Sequence, residues 1–312
     1  MLTPDKCTAA DTKVSWTIVP VSATLSFGPP SQGLAMDDVQ NHADGRSIPL
    51  DRVGVTDLQY PIVLLDQRHE KQHTIARFKM SVNLPHQLKG THMSRFIEVL
   101  SVHQGAFTVR TLPVMLRELR TRLNAEAARV EVAFPYFVEK TAPKSGAKAL
   151  MDYQCSLVGE LNGGNIDCVV SVDVPVTSLC PCSKSISDYG AHNQRGVITV
   201  AVRGDDEADQ TSRFIWIEEL VDIAERSASA PVYPLLKRAD ERHVTMQAYD
   251  NPVFVEDMVR SVATYLQADA RVSWFRVDAV NHESIHNHGA FASCTWTRRP
   301  PTIIDATSIE SW

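Results

Sequence analysis

The sequence predicts an α+β fold in which antiparallel sheet carries its helices on one face. Stretches of strand-like composition flank pairs of helical stretches, and an Asn-Gly-Gly turn joins two of the strands. The order of elements is also similar in the two halves of the chain. We read it as two strands, two helices and two strands, repeated once.

The first half, residues 51–148, supplies the first of these units. VGVTDLQYPIVLL and HTIARFKMSVNLP read as strands, and RVEVAFPYFVE reads as a further one. HMSRFIEVLSVH and LPVMLRELRTRLNAEA read as helices between them. Residues 1–50 are rich in Pro, Gly, Ser and Asp, which predicts an N-terminal arm or loop.

The second half, residues 149–300, opens with two alternating runs around Asn-Gly-Gly, which predict a hairpin. FIWIEELVDIAERSA reads as a helix, and a second helix is predicted to begin at Asn251-Pro252, with Asn251 as its N-cap. The apolar face of the first helix consists of Ile217, Leu220, Val221 and Ala224. RVSWFRVDAVN and FASCTWTRR read as strands, and residues 301–312 as a C-terminal tail.

Composition limits the class of protein. The formal net charge of -6 does not favour binding to nucleic acid. No apolar run reaches transmembrane length and the N-terminal residues lack a signal-peptide pattern, so we expect a soluble, cytoplasmic protein without a membrane partner. Six cysteines in 312 residues are too few for a disulfide scaffold. Cys155, Cys168 and Cys294 are expected to be ordinary thiols.

The candidate chemistry lies in CPCSKSISDYGAHNQRG, residues 180–196, and in segments far from it along the chain. Possible metal ligands and acid–base groups are Cys180, Cys182, His192, Glu241, Glu256, His286 and His288. A second cysteine pair is missing, so a closed structural zinc site is not expected. One thiolate, one or two imidazoles and a carboxylate suit a catalytic metal that keeps a position open for water.

In extended chain, residues two apart face the same way. Cys180 with Cys182, and His286 with His288, are therefore each expected to point two groups into one cleft. Spacing alone leaves the alternative of surface histidines and buried thiols open.

Several long motifs carry a family resemblance. CPCSKSISDYGAHNQRG, together with KGTHMSRFIEVL, YPLLKRADERHVT, AYDNPVFVEDMVR and NHESIHNHGAFA, closely resembles the GTP cyclohydrolase IB family, from residue 54 to about residue 298. The resemblance implies a tunnelling fold, with two ββααββ units per chain. It also implies a homotetramer whose active sites lie at subunit interfaces.

The resemblance further implies a hydrolase that acts on a cyclic amidine. Such an enzyme opens the imidazole ring of GTP, releases formate and forms 7,8-dihydroneopterin triphosphate, the first pterin of tetrahydrofolate synthesis. It would use one divalent metal per active site, Zn²⁺, Mn²⁺ or Fe²⁺. Two alternatives remain: an offshoot acting on another purine nucleotide, and a binding protein that has lost catalysis.

By the same resemblance, the metal ligands would be Cys180, Glu241 and His286, with His192 as a fourth ligand or a proton shuttle. Cys182 and His288 would be acid–base groups or neighbours of the ligands. Glu256 would bind the guanine N1–H and 2-amino groups, although from sequence alone it reads as a glutamate on an exposed helix face. The triphosphate-binding residues would be Lys89, His92, Arg95, Lys184 and Arg195.

Four positions depart from the family pattern. Ala239 replaces a usual proline, Met246 and Asp250 replace usual glutamates, and Gly289 replaces a usual aspartate. None of the four is assigned to the metal. Gly289 directly follows His288, so its effect on that histidine is the one of most interest.

Overall fold

The computed structural model describes residues 38, 40, 42–67, 71–103, 106–108, 110–204 and 215–298. Most of the predicted N-terminal arm, together with Cys7, lies outside the described residues, as does the predicted tail 301–312. The sheet and helices belong to one compact unit, which comprises residues 39–312. No helix in the described part of the chain is long and apolar enough to cross a bilayer.

The described residues form one ten-stranded sheet in the order β10-β9-β7-β6-β5-β4-β2-β1-β3, with β8 paired to β6 beside this path. The strands are β1 (Leu50–Leu64), β2 (Gln72–Leu84), β3 (Ala106–Phe107), β4 (Ala128–Thr141), β5 (Lys148–Asn162), β6 (Asn165–Leu179), β7 (Asn193–Gly204), β8 (Ala230–Pro231), β9 (Val272–Asn281) and β10 (Ala290–Thr297). The helices are α1 (Met93–Val102), α2 (Leu112–Arg122), α3 (Pro181–Ile186), α4 (Ile217–Arg226), α5 (Arg238–Asp250) and α6 (Val255–Ala268). The long strands pair antiparallel, which confirms the predicted α+β class.

The larger of two hydrophobic clusters in the described part of the chain lies between the helices and one face of the sheet. Alternate strand residues such as Phe78 and Val174 share it with helix residues such as Leu116 and Met258. This pattern arises because alternate strand side chains point to the same face, where the apolar stripe of each helix covers them. The predicted apolar face of α4 is confirmed. Its residues Leu220, Val221 and Ala224 are buried, and Ile217 packs against the same core.

The opposite face of the sheet carries charge around a small apolar cluster of Val169, Ala201 and Trp274. Arg129 of β4 is buried, and its guanidinium donates to Glu131 Oε1 and to Glu160 Oε2, each at 2.8 Å. Arg203 of β7 pairs with Asp167 of β6 at 2.5 Å. Antiparallel sheets commonly pack one face on the core and leave the other to polar groups, as here.

The predicted Asn-Gly-Gly hairpin is confirmed. β5 and β6 are joined by Gly163 and Gly164, which have φ angles of 55° and 93°. A two-residue hairpin turn of this kind requires positive φ at both central positions, which glycine adopts without steric cost.

Several elements of the described chain were not predicted from the sequence, among them the short helix α3 and the short strands β3 and β8. NQRGVITVAVRG forms the long strand β7, which was not predicted although its residues alternate, and α5 was not predicted either. The boundary between the two predicted units, at residue 148, stays a prediction, because β4 and β5 on either side of it pair within one continuous sheet.

The predicted helix start at Asn251-Pro252 is wrong. Asn251 is the C-cap of α5, and α6 begins at Val255 after Phe254. The reason is that the Asn251 side chain has other partners. Its amide group donates to the carbonyl oxygens of Ala228 and Ser229, at 3.0 and 3.4 Å. Asn251 therefore fastens the α5–α6 connection to the chain before β8.

Candidate active site

One edge of the sheet gathers several of the predicted site residues. β6 ends at Leu179, which pairs with Asn193 at the start of β7. β9 ends at Asn281, which pairs with Gly196 of β7 and with Ala290 at the start of β10. The segments that follow or precede these strand ends, residues 180–192 and 282–289, therefore leave the sheet side by side.

The two cysteines do not share an orientation, which corrects the expectation of an extended segment. Cys180 is the N-cap of the short helix α3, and its Sγ accepts a hydrogen bond from the Ser183 N–H at 3.4 Å. Pro181 occupies the first helical position, where its fixed φ suits a helix. Cys182 lies inside α3 and is exposed, whereas Cys180 is half-buried. The helical turn thus separates the two thiols.

His192 is joined to the Cys180 segment through its backbone, and its ring is hydrogen-bonded to Gln194. Its carbonyl accepts from the Cys180 N–H at 3.1 Å, and its N–H donates to Ser183 Oγ at 3.1 Å. Its ring Nδ1 lies 2.8 Å from Gln194 Oε1, and the Gln194 amide donates to Glu283 Oε1 at 3.3 Å. Because an amide oxygen can only accept, Nδ1 carries the proton. Nε2 is then the nitrogen available to a metal or a proton.

Gln194 and Glu283 were not singled out from the sequence. Both lie within the motifs HNQRG and NHESIHNHG, two residues after His192 and three before His286. The alternation of β7 could have suggested Gln194, since residues two apart face the same way at a strand start. Glu283 could not have been found in this way, because it meets Gln194 only through the pairing of β7 with β9.

The remaining histidines continue from His192 along the β9–β10 connection. The rings of His192 and His286 have centroids 6.3 Å apart and are nearly perpendicular. The rings of His286 and His288 are stacked, with centroids 5.1 Å apart. Both residues are exposed and lie in a turn rather than in a strand. The structure therefore brings the three imidazoles together, as the spacing suggested for the last two.

Glu241 directly follows Asp240, whose side chain is held by several hydrogen bonds. Asp240, in the first turn of α5, is fully buried. It accepts four hydrogen bonds of 2.6 to 2.8 Å, from the Lys144, Ser145 and Lys237 N–H groups and from the Ser145 hydroxyl. The three bonds from Lys144 and Ser145 join α5 to the β4–β5 turn, and the bond from Lys237 caps α5 itself. Glu241 follows directly and is exposed.

Glu256 lies in the first turn of α6 and is exposed. The helix dipole there favours a carboxylate, as anticipated, although the N-cap is Phe254 and makes no side-chain cap. The segment before α6 is attached to the strand that leads to Cys180, because the Val253 N–H donates to the Leu179 carbonyl at 3.2 Å. Nothing among the described residues buries the Glu256 side chain.

The predicted metal ligands are only partly assembled in the described part of the chain. Cys180, His192 and His286 lie at the same edge. However, the described residues contain no group of three or more His, Cys, Asp or Glu side chains placed to hold a metal ion. The donor types fit a divalent metal, and His192 presents Nε2, but a closed set of three ligands is not formed by these residues.

Two of the predicted phosphate ligands lie at this edge. Lys184 donates from Nζ to the Tyr249 carbonyl, and its ammonium lies 4.3 Å from the centre of the Tyr249 ring. Arg195, near the start of β7, is exposed, and its carbonyl accepts from the His282 N–H at 2.8 Å. Lys184 is thus engaged within the chain, whereas the Arg195 side chain faces outward.

The other three predicted phosphate ligands lie elsewhere. Lys89, His92 and Arg95 follow β2, and sheet register places the end of β2 with the start of β6, far from the Cys180 end. Arg95 donates to the Arg122 carbonyl at 2.9 Å. Within one chain, this group and the Cys180 group therefore occupy opposite edges of the sheet.

The four departures from the family pattern fall on or near the site. Ala239 is exposed in the first turn of α5, where alanine is compatible with a helix. Met246 and Asp250 lie on exposed positions of the same helix. Gly289 lies against the Asn281 carbonyl, which would be 3.0 Å from an added Cβ. A larger residue at position 289 would require a small shift of that backbone.

Comparison with known proteins finds a matching family, curated relatives and solved structures of similar fold. The family described as "Type I GTP cyclohydrolase folE2" matches residues 36–292. "GTP cyclohydrolase FolE2" of Nitrosococcus oceani is 53% identical over 257 residues, which cover 82% of this chain and 94% of that protein. The protein of the same name from Magnetococcus marinus is 53% identical over 259 residues, covering 83% and 95%. Uricase from Arthrobacter globiformis superposes with a TM-score of 0.48 at 8% identity, covering 82% of this chain and 96% of that one.

The anchoring of α5 generates a prediction about stability and pH. Burial raises the pKa of Asp240, but hydrogen bonds from Ser145, Lys237 and Lys144 outweigh it and hold the pKa below its ordinary value. A depressed pKa contributes stability above the ordinary aspartate pKa, and that contribution is lost as the pH falls through the lower value. We expect Asp240→Asn to lower the melting temperature at neutral pH, because an amide cannot accept from all four donors.

Thermal unfolding followed by circular dichroism from about pH 7 to about pH 3 measures this effect. The difference in melting temperature between wild type and Asp240→Asn should shrink towards acid. Asp250→Asn, at the other end of α5, is the matched control and should behave like wild type. A difference that stays constant across the pH range would contradict the assignment.

Proposed function

The chain belongs to the type I GTP cyclohydrolase FolE2 family, and from this membership we propose that it hydrolyses GTP to 7,8-dihydroneopterin triphosphate and formate. That reaction would begin tetrahydrofolate synthesis in the cytoplasm. The observation that carries the proposal is identity of about half the residues with GTP cyclohydrolases across nearly the whole described chain. The convergence of Cys180, His192 and His286 at one sheet edge supports it.

We propose that Cys180, Glu241 and His286 would hold one divalent metal, Zn²⁺, Mn²⁺ or Fe²⁺, with His192 as a fourth ligand or a proton shuttle. The support is the donor set of thiolate, carboxylate and imidazole, and the position of the His286 ring beside that of His192. His192 has its Nδ1–H bonded to Gln194, so that Nε2 is presented. When bound, such a metal lowers the pKa of water and so supplies a nucleophile for guanine C8.

His288, and His192 in the role of proton shuttle, would move protons in this proposal. Opening of the imidazole ring requires protons at the departing nitrogens, and histidine exchanges protons near neutral pH. The exposed His288 ring stacks on that of His286, which supports a role next to the proposed ligand. Cys182, exposed on the adjacent helix, would serve as a neighbouring acid–base group.

Glu256 would bind the guanine. A carboxylate can accept two parallel hydrogen bonds, which matches the guanine N1–H and 2-amino donors. Glu256 lies in the first turn of α6, where a negatively charged side chain interacts favourably with the helix dipole. The attachment of Val253 to Leu179 places this turn close to the strand that leads to Cys180.

In this proposal, binding of the triphosphate requires residues from a second copy of the chain. Lys89, His92 and Arg95 lie at the opposite sheet edge from Cys180, so one chain cannot supply both groups to one substrate. A homotetramer with active sites at its interfaces would bring these residues of one subunit to the Cys180 edge of the next. Arg195 and Lys184 would complete the anion site there.

The direct test is turnover of GTP by metal-free protein reloaded with each metal in turn, with pterin and formate both measured. One formate should appear per pterin triphosphate. Cys180→Ala should lose bound metal and activity together, because it removes a ligand. Cys182→Ala should keep its metal even if activity falls.

Each result separates the proposal from its competitors. Equal loss of metal in both cysteine variants would mean that the ligand is misassigned. Tight GTP binding without formate release by the metal-loaded wild type would indicate a binding protein, and turnover of a different purine nucleotide in its place would indicate an offshoot of the family.

Assembly predicts a dependence of activity on concentration. Because each active site would need residues from two subunits, dilution to monomer should abolish activity before secondary structure is lost. Light scattering and circular dichroism on the same samples measure both quantities. A monomer that retains full activity would overturn the interface model.

The guanine role predicts a selective loss in Glu256→Gln. Replacing one acceptor oxygen by an NH₂ group sets a donor against a guanine donor, which should cost roughly 2–4 kcal/mol, or about 30- to 1000-fold in kcat/KM for GTP. Inosine triphosphate lacks the 2-amino group and should lose less. Metal content should not change. A loss below about threefold with GTP would make Glu256 an ordinary surface charge.

A further inference from the structure

A polar row crosses three strands at the end of the sheet that leads to the site. Gly196 of β7 pairs with Asn281 of β9 on one side and with Val176 of β6 on the other. Ser178 lies two residues beyond Val176, so its side chain is on the same, helix-facing side. Ser178 is 1% exposed and Asn281 is 2% exposed. Buried polar groups at this place require a reason, because the neighbouring rows are apolar.

The two side chains form a directed chain of hydrogen bonds. Asn281 Nδ2 donates to Ser178 Oγ at 3.0 Å, and Ser178 Oγ donates to the Val253 carbonyl at 3.0 Å. A hydroxyl has one proton. By donating to the oxygen, Asn281 leaves that proton to the Val253 carbonyl. The Val253 N–H donates to the Leu179 carbonyl at 3.2 Å. The backbone N–H and carbonyl of Val253 are therefore both hydrogen-bonded to residues of β6.

The other end of Asn281 shows which of its atoms matters. Asn281 Oδ1 is buried and has no hydrogen-bond donor among the described residues. It lies against Gly196, where an added Cβ would approach it to 2.5 Å. Glycine therefore leaves the space in which the Asn281 side chain can turn its Nδ2 towards Ser178. In this orientation the Nδ2 group of Asn281 donates a hydrogen bond, whereas its Oδ1 atom accepts none from the described residues.

The hydrogen bonds of Val253 to Ser178 and Leu179 connect the segment that leads to Cys180 with the segment that leads to Glu256. Leu179 precedes Cys180 directly, and Val253 stands three residues before Glu256. We propose that Ser178, oriented by Asn281, is a positioning residue that fixes Glu256 relative to Cys180. This inference rests on the proposed function, in which Glu256 binds the guanine and Cys180 the metal. It adds that the distance between the bound guanine and the metal is set by the Ser178 hydroxyl, which is buried and contacts neither of them.

The experiment compares Ser178→Ala with Thr177→Val. Thr177 is the adjacent residue of β6, and its Oγ1 donates to the Ala230 carbonyl at 2.9 Å, away from α6. Ser178→Ala should lower kcat/KM for GTP by about tenfold, mostly through KM, because small misplacement of a binding group is costly. Thr177→Val should leave it unchanged within about twofold. Metal content should be that of wild type in both variants.

A double-mutant cycle with Glu256→Gln distinguishes positioning from general support of the fold. If Ser178 acts through Glu256, Ser178→Ala should cost less than about twofold in the Glu256→Gln background. The preference for GTP over inosine triphosphate should also fall in Ser178→Ala. Additive losses, or equal losses with both nucleotides, would overturn the positioning role while leaving the proposed function intact. A harmless Glu256→Gln would overturn both the guanine role and this inference.

Asn281→Ala provides a second route if Ser178→Ala does not fold, as judged by circular dichroism. It removes the donor that orients the hydroxyl but leaves Ser178 and Val253 in place. We expect the same selective loss with GTP, smaller than that of Ser178→Ala, and the same lack of additivity with Glu256→Gln. A folded Asn281→Ala with the kinetic constants of wild type would contradict the proposed orientation of Ser178.

Discussion

Register between β6, β7 and β9 is the constraint on which the site depends. Leu179 pairs with Asn193, and Gly196 pairs with Asn281. The end of β6, the start of β7 and the end of β9 therefore lie at one edge of the sheet. A slip of one residue in either pairing would turn the polar side chains of one strand to the opposite face. The neighbouring rows of the core, which include Val174 and Val277, oppose such a slip because they would be moved into the charged face.

The sequence predicted the parts of the molecule that are encoded locally. The Gly163–Gly164 turn and the apolar face of α4 follow from short-range chemistry, and both are confirmed. The resemblance of the long motifs also led to the correct family. The strand β7 was not predicted, although its residues alternate between buried and more exposed positions.

The wrong helix start at Asn251 and the unpredicted link between His192 and Glu283 have a common physical origin, which is hydrogen bonding of a side chain to groups distant in sequence. Asn251 next to Pro252 has the local pattern of a helix start, but its amide is bonded to the carbonyl groups of Ala228 and Ser229 instead. The link from His192 through Gln194 to Glu283 likewise joins residues on different strands. Local spacing could not predict such partners, because sheet pairing brings them together.

The anchoring of Asp240 limits how the start of α5 can move. Three hydrogen bonds, from the Lys144 and Ser145 N–H groups and the Ser145 hydroxyl, attach it to the β4–β5 turn, and the Lys237 N–H donates a fourth from the start of the helix itself. In the proposed site, a shift of the Glu241 backbone towards Cys180 would therefore have to break these bonds or carry the β4–β5 turn with it. Rotation about the Glu241 side-chain bonds would leave all four bonds intact.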